Sequence, residues 1–284
     1  MDGQIDFRHD PSLPDLLELK DISLTYDKRD IPPEKKKWVI QHLSFLVQDI
    51  PNRGQFAVIM GPSGCGKSTI LRFLAGLQTP TSGQILIKGH ELKEGEHIGM
   101  VFQQYSSFEW YKVVENVALP LVLHGKSWKK SEEEALEMIQ KVGLGGQEKK
   151  YANERELSGG QLQRVAIARS LINNPEMILM DEPFGALDPY TRLNMQLMLL
   201  KMWDQFQSTV VFVTHSKEEA VFLGDDIYIM SVNPAKIAAH IHVNLPYPRD
   251  METRRNRQFF DIVSEVDEQL RTVIEKSSKK TEMK

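Results

Sequence analysis

Nine consecutive residues carry the densest chemistry of the chain: Gly61, Pro62, Ser63, Gly64, Cys65, Gly66, Lys67, Ser68 and Thr69, in the order G-x-x-x-x-G-K-[ST]. Glycines let such a loop wrap closely enough for successive backbone N–H groups to face a polyphosphate. The helix N-terminus that follows adds partial positive charge, Lys67 adds a full one, and the Ser68 hydroxyl is a ligand for Mg²⁺. A second group, Met177-Ile178-Leu179-Met180-Asp181-Glu182, is an apolar run that ends in two carboxylates. Alone, two acids at a strand end would be read as a cap or as solvated charge. Coupled to a phosphate loop, Asp181 takes the place of the metal-holding Asp, and Glu182 is aimed at an attacking water. A third group, Leu157-Ser158-Gly159-Gly160-Gln161, forms a second anion nest at a helix start. One nucleoside triphosphate needs one phosphate loop, so the second nest calls for an explanation.

These groups need a scaffold, and the patterning supplies an α/β one. Phe56–Met60 reads as a buried strand before the phosphate loop, and Ile70–Leu74 as the start of a helix after it. Leu17–Lys20 and Ile22–Tyr26 alternate with period two, and Leu43–Val47 is a further strand, which together predict an antiparallel β subdomain at the N-terminus. Strands are expected near 84–87 and 98–102, and from about 104 to 157 the pattern turns helical. There Ser131 and Glu134 match a capping box and Gly143 a C-cap, while Leu144–Gln147 reads as a helix-terminating turn. Apolar strands at 177–181, 209–214 and 226–230, alternating with helices at 162–172 and 191–205, predict a mainly parallel sheet covered on both faces. Near the end Phe259, Ile262, Val263, Val266, Leu270, Val273 and Ile274 make an apolar helical stripe, and Ser277–Lys284 is expected to fray. The charged segment Asp27–Lys37 reads as a solvated hairpin loop.

Leu157–Gln161 with its continuation Leu162-Gln163-Arg164-Val165-Ala166-Ile167-Ala168-Arg169 resembles the signature of the ATP-binding subunits of ABC transporters. The resemblance covers about residues 15 to 250, with a helical subdomain inserted at about 104–157, and leaves 251–284 as an amphipathic helix and charged tail. It implies a P-loop NTPase core, with ATP and Mg²⁺ as its ligands. By the same resemblance Gln103, after Val101-Phe102, is the Q-loop glutamine that touches Mg²⁺. Asp188, in Gly185-Ala186-Leu187-Asp188, belongs to the D-loop at the dimer interface. His215 is the switch histidine at the γ-phosphate, and Tyr26 is the aromatic that stacks on adenine, with Trp38 as the alternative. Two such chains are expected to pair head-to-tail, either two copies or a copy and a paralogue. Ser158 and Gly160 of one then close over ATP on the phosphate loop of the other. Glu182 orients water, and Lys67, His215 and Gln103 complete the catalytic set.

The segment Phe108–Val117, with Trp110, and the ending Ser231–Ile237 followed by Leu245–Arg249 are similar to the nitrate/sulfonate/taurine/bicarbonate importers. The implied partners are integral membrane permease subunits and, indirectly, a solute-binding protein. An ATPase of another transport system or a soluble ATP-dependent switch is the alternative. Net charge of −4 and a pI near 6.1 give no reason to expect a nucleic-acid surface. No run nears the roughly 18 apolar residues of a spanning helix. The one cysteine suits a reducing compartment. The expected place is cytoplasmic, peripheral on the cytoplasmic face of the inner membrane.

Overall fold

Leu17 and Leu19 lie on odd positions and Ile22 and Leu24 on even ones, so a single strand can bury all four only if one extra residue is inserted between the pairs. The computed structural model, which describes residues 10–28, 30–50, 53–91 and 97–282, shows that solution. The two predicted strands are one, β1 (Asp15–Thr25), with its register shifting between Leu19 and Ile22 against β2 (Trp38–Gln48). Asp21 and His42 both adopt positive φ there, and His42 Nδ1 lies 2.7 Å from Asp21 Oδ1. The intervening Asp27–Lys37 segment is a hairpin loop closed by the Thr25 hydroxyl donating to Lys37 O and the Lys37 N–H donating to Asp27.

The chain folds as two compact units. The first, Met1–Ile98 with Val211–Lys284, holds an antiparallel sheet of order β2-β1-β4-β5, with β4 at Ser82–Ile87 and β5 at His90–Glu91. It also holds β3 (Phe56–Met60), every residue of which is buried, and β3 runs parallel to β9 (Asp226–Met230). β9 in turn pairs antiparallel with β10 (Ile237–His242). A run apolar on both faces needs cover on both, and helices α1 (Lys67–Leu74), α6 (Lys217–Leu223) and α7 (Arg257–Glu282) belong to this unit. Along α7, Phe259, Val266 and Val273 of the expected stripe are buried, and Phe259 meets Phe222 of α6 edge-on at 6.5 Å. Of the stretch Ser277–Lys284 expected to fray, the backbone is helical to Glu282 and the last two residues lie outside the described ones. The buried Ser277 hydroxyl is satisfied by donating to Val273 O at 2.8 Å.

The second unit, Gly99–Val210, contains the parallel pair β6 (Gly99–Val101) and β7 (Met177–Asp181). Its helices are α2 (Val113–Leu123), α3 (Trp128–Lys141), α4 (Gly159–Leu171) and α5 (Pro189–Phe206). Strand β8 (Thr209–Val213) carries the chain back to the first unit. The capping box expected at Ser131 and Glu134 is not one. α3 begins a turn earlier with Ser127 at its N-cap, Ser131 is buried inside the helix and donates to Ser127 O, and Glu134 pairs with Lys126. Trp128-Lys129-Lys130 extends the helix because nothing in it opposes helical backbone. Gly143, at φ 69°, does terminate it, and Leu144–Gln147 is the expected turn.

Candidate nucleotide site and signature loop

In the first unit the buried strand β3 delivers the chain into the phosphate loop, and Gly66, at φ 95°, is the N-cap from which α1 departs. Gly61 is required by close approach. A Cβ there would stand 2.8 Å from Met230 O and 2.9 Å from Cys65 Sγ. Lys67, buried, curls back so that its ammonium donates to Gly61 O at 3.0 Å and Pro62 O at 3.3 Å. Those bonds hold the cation over the loop, where the phosphates of a nucleotide would lie. Cys65 is buried, and burial pushes its thiol above the ordinary range although Lys67 pulls the other way. Desolvation therefore outweighs the lowering that the Lys67 charge exerts.

The end of β1 places Tyr26 in the open, 72% exposed, with Gln78 Nε2 3.5 Å from its hydroxyl. Trp38, its alternative, starts β2 opposite Thr25 and has Lys36 over its ring. His215 follows β8 on an exposed corner. Its neighbours fix that corner: the Thr214 hydroxyl donates to Glu219, the Ser216 N–H donates to Thr214 Oγ1, and Ser216 Oγ caps α6 by accepting from Glu219 N. The imidazole thus sits at a strand tip between two residues that are both tied down.

In the second unit β7 ends at Asp181, and Glu182 turns the chain at φ 45°, a left-handed conformation unusual for a glutamate. The turn is closed by Gly185 N–H donating to Glu182 O at 3.0 Å. Gln103 lies just beyond β6, with its Nε2 3.6 Å from where a Cβ on Gly185 would be and Glu182 Cβ 3.8 Å from the same point. Gln103, Glu182 and the D-loop therefore converge. Asp188 is exposed and caps α5: its Oδ1 accepts from Tyr190 N and Thr191 N at 3.1 Å each. The Thr191 side-chain and backbone bonds, with that from Tyr190, hold its carboxyl below the usual carboxylate range.

The signature loop is the other product of this unit. Ser158 is the N-cap of α4. Its Oγ accepts from Gln161 N at 3.4 Å, while Gln161 Oε1 accepts from Ser158 N at 2.9 Å. This reciprocal pair uses the N–H groups of Ser158 and Gln161 and not those of Gly159, half-buried, and Gly160, buried, at the start of the helix. Gly159 has no room for a side chain because a Cβ would strike the Tyr105 hydroxyl.

Three residues were not singled out from sequence and hold this region together. Asn116, fully buried in α2, donates to Phe108 O, Tyr111 O and Lys112 O at 3.0–3.2 Å and accepts from Phe108 N at 2.8 Å. Arg169, on α4, donates to Ser106 O at 2.7 Å and Ser106 Oγ at 3.0 Å, and its guanidinium lies 4.8 Å from the Phe108 ring centre. Tyr105 closes on Gly159. Arg169 and Tyr105 fix the stretch after Gln103 to the signature helix, and Asn116 fixes it to α2. The available signal was a polar Asn in the apolar run Val113-Val114-Glu115-Asn116-Val117-Ala118. Asn116→Ala is expected to cost about 1–3 kcal/mol, since the Phe108 N–H loses its acceptor and the three carbonyls keep only their backbone donors. A urea unfolding midpoint within error of the parent chain would refute that assignment.

A chain that pairs a phosphate loop with a second anion nest, an Asp-Glu strand end and a strand-tip histidine has the parts of an ATP-binding cassette. It matches the ABC transporter family over residues 23–185, more than half of its length, and belongs to that family of ATPases. It is 44% identical over 212 residues to the aliphatic sulfonates import ATP-binding protein SsuB of Bacillus cereus, covering 74% of this chain and 81% of that one. It is 46% identical over 207 residues to the nitrate import ATP-binding protein NrtD of Synechocystis, covering 72% and 76%. Among solved structures it is similar to the cassette MJ0796, a dimer in a post-hydrolysis state bound to ADP and Pi. That likeness has TM-score 0.67 and 31% identity over 81% of this chain and 100% of that one.

Proposed function

We propose that the chain is the ATP-hydrolysing subunit of an importer for a small anion or an organosulfur or nitrogen solute. It would work as a head-to-tail pair on the cytoplasmic face of a membrane, beneath permease subunits. The observation that carries this reading is the second nest at Ser158–Gln161. A second nest whose N-cap, Ser158, is exposed, in a chain that already has a phosphate loop, suits a nucleotide bound to another subunit. The importer relatives and the dimeric cassette support it. No helix among the described residues is long and apolar enough to cross a membrane, so the spans would come from partners.

In this reading the phosphate loop cradles the β- and γ-phosphates with Lys67, and Tyr26 stacks on the base. The donor set Ser68, Asp181 and Gln103 is all oxygen, hydroxyl, carboxylate and amide, and fits Mg²⁺, which takes few protein ligands beside phosphate and water. The ion would neutralise charge on the phosphates. Glu182 holds and orients the attacking water, His215 donates to the γ-phosphate, and the partner's signature N–H groups complete an electrostatic cage closed to solvent. Exposed Trp110 and Tyr111, whose rings meet Phe108 tilted at 5.5 Å and edge-on at 6.0 Å, offer an aromatic surface to a permease beside the Gln103 loop.

The test is reconstitution with a permease and solute-binding protein encoded beside this chain. ATPase activity should rise at least several-fold when the binding protein is loaded with an alkanesulfonate, taurine or nitrate. A complete complex that no loaded binding protein stimulates would favour a soluble switch.

A further inference from the structure

Between α7 and the turn that joins β9 to β10, the first unit holds a cavity of about 350 Å³, open to solvent on one side and within the size range of small-molecule sites. Its apolar lining is Val232, Pro234, Ile237, Ala238 and Val273, and its polar lining includes Lys236 and Lys276 with Gln41, Asn233, Gln269 and Thr272. Among the described residues no carboxylate lines it. Among the described residues, none of those six polar side chains has a hydrogen bond or ion pair, whereas the Ser231 and Ser277 hydroxyls nearby are both spent on carbonyls. Donors and two cations without a partner among the described residues, beside apolar side chains, match a molecule with an anionic head and a short apolar body.

The cavity is one residue removed from the phosphate loop on two sides. Ser231 follows Met230, whose carbonyl stands where a Cβ on Gly61 would clash, and Gln41 follows Ile40, whose side chain lies 3.5 Å from the Cβ position of Gly66. The two walls are tied to each other, with Gln41 N–H donating to Ala235 O and Ala235 N–H donating to Val39 O. We propose that this cavity is a regulatory site for a small organic anion, and that its occupant shifts ATP affinity through Met230 and Ile40. The site stands independently of the transport reading above.

Hexanoate and hexanesulfonate, with hexanol as the neutral comparator, test it on the full chain by calorimetry. One or both anions should bind saturably and at least tenfold more tightly than hexanol. Lys236→Met combined with Lys276→Met should lose at least tenfold, and Ala238→Trp, which fills the cavity, should abolish binding. Both variants should keep the parent's ATP affinity when no anion is present, which confirms that they fold. A saturating anion should change ATP affinity about fivefold or more, and ATP should change anion affinity by the same factor. Equal binding of hexanol, no saturable binding, or binding that survives both variants overturns the site. Binding that survives both variants and is displaced by ATP would place the anion on the phosphate loop instead. An ATP affinity unmoved at anion saturation overturns the coupling.

Discussion

Glu182→Gln will bind ATP as the parent chain does and turn it over at least about a hundredfold more slowly, the scale of losing a positioned base. The substitution is nearly isosteric, so it leaves the turn at φ 45° and its closing bond from Gly185 intact. What it removes is a carboxylate able to accept a proton from water in line with the γ-phosphate. ATP binding should survive because in the proposed site it rests on the phosphate loop and Lys67, in the other compact unit. With binding kept and hydrolysis stopped, the ATP sandwich has no route to open, so the variant should elute as a dimer with ATP and a monomer with ADP. Fluorescent-nucleotide titration, single-turnover hydrolysis and gel filtration read the three quantities separately. Turnover within a few-fold of the parent would remove Glu182 from the reaction and leave Asp181 and Gln103 as the candidates to re-examine.

The parts most legible in sequence were those whose requirement is local. A phosphate loop needs its glycines and lysine at fixed offsets, and a buried strand before it, so Gly61–Thr69 and Phe56–Met60 announced each other. The phase change from Leu17 and Leu19 to Ile22 and Leu24 was equally visible, but it read as two strands because a bulge and a break look alike until the partner strand is known. Helix starts were less legible. Ser127 and Ser131 are both good caps by type, and only the burial of Ser131 tells them apart. α2 was blurred into a general helical character by Pro120 in its interior. Least legible were the contacts that position the Gln103 segment. Arg169 reaches Ser106 across 63 residues, and Tyr105 meets Gly159 across a similar gap. Nothing in the order of residues marks such pairs. The left-handed turn at Glu182 was hidden for the opposite reason, since a glutamate gives no sign that it will accept positive φ.

Mixing two inactive variants should restore activity, and this is the sharpest consequence of placing Ser158 over another subunit's nucleotide. Lys67→Ala removes the cation that holds the phosphates, and its homodimer has two damaged phosphate loops. Ser158→Arg fills the start of α4, an exposed position where the larger side chain has room, and its homodimer has two damaged lids. Each homodimer is expected to be nearly inactive. In a heterodimer both defects fall in one composite site, and the other site joins an intact phosphate loop to an intact signature. Random exchange makes half of the dimers mixed and half of their sites sound, which gives at most about a quarter of the parent rate under head-to-tail symmetry. Recovery well above the sum of the two variants, following the rate of subunit exchange, would establish that the site is shared. If exchange is shown by a tagged pull-down and activity stays at the sum of the singles, Ser158 acts within its own chain. The second nest would then need another ligand.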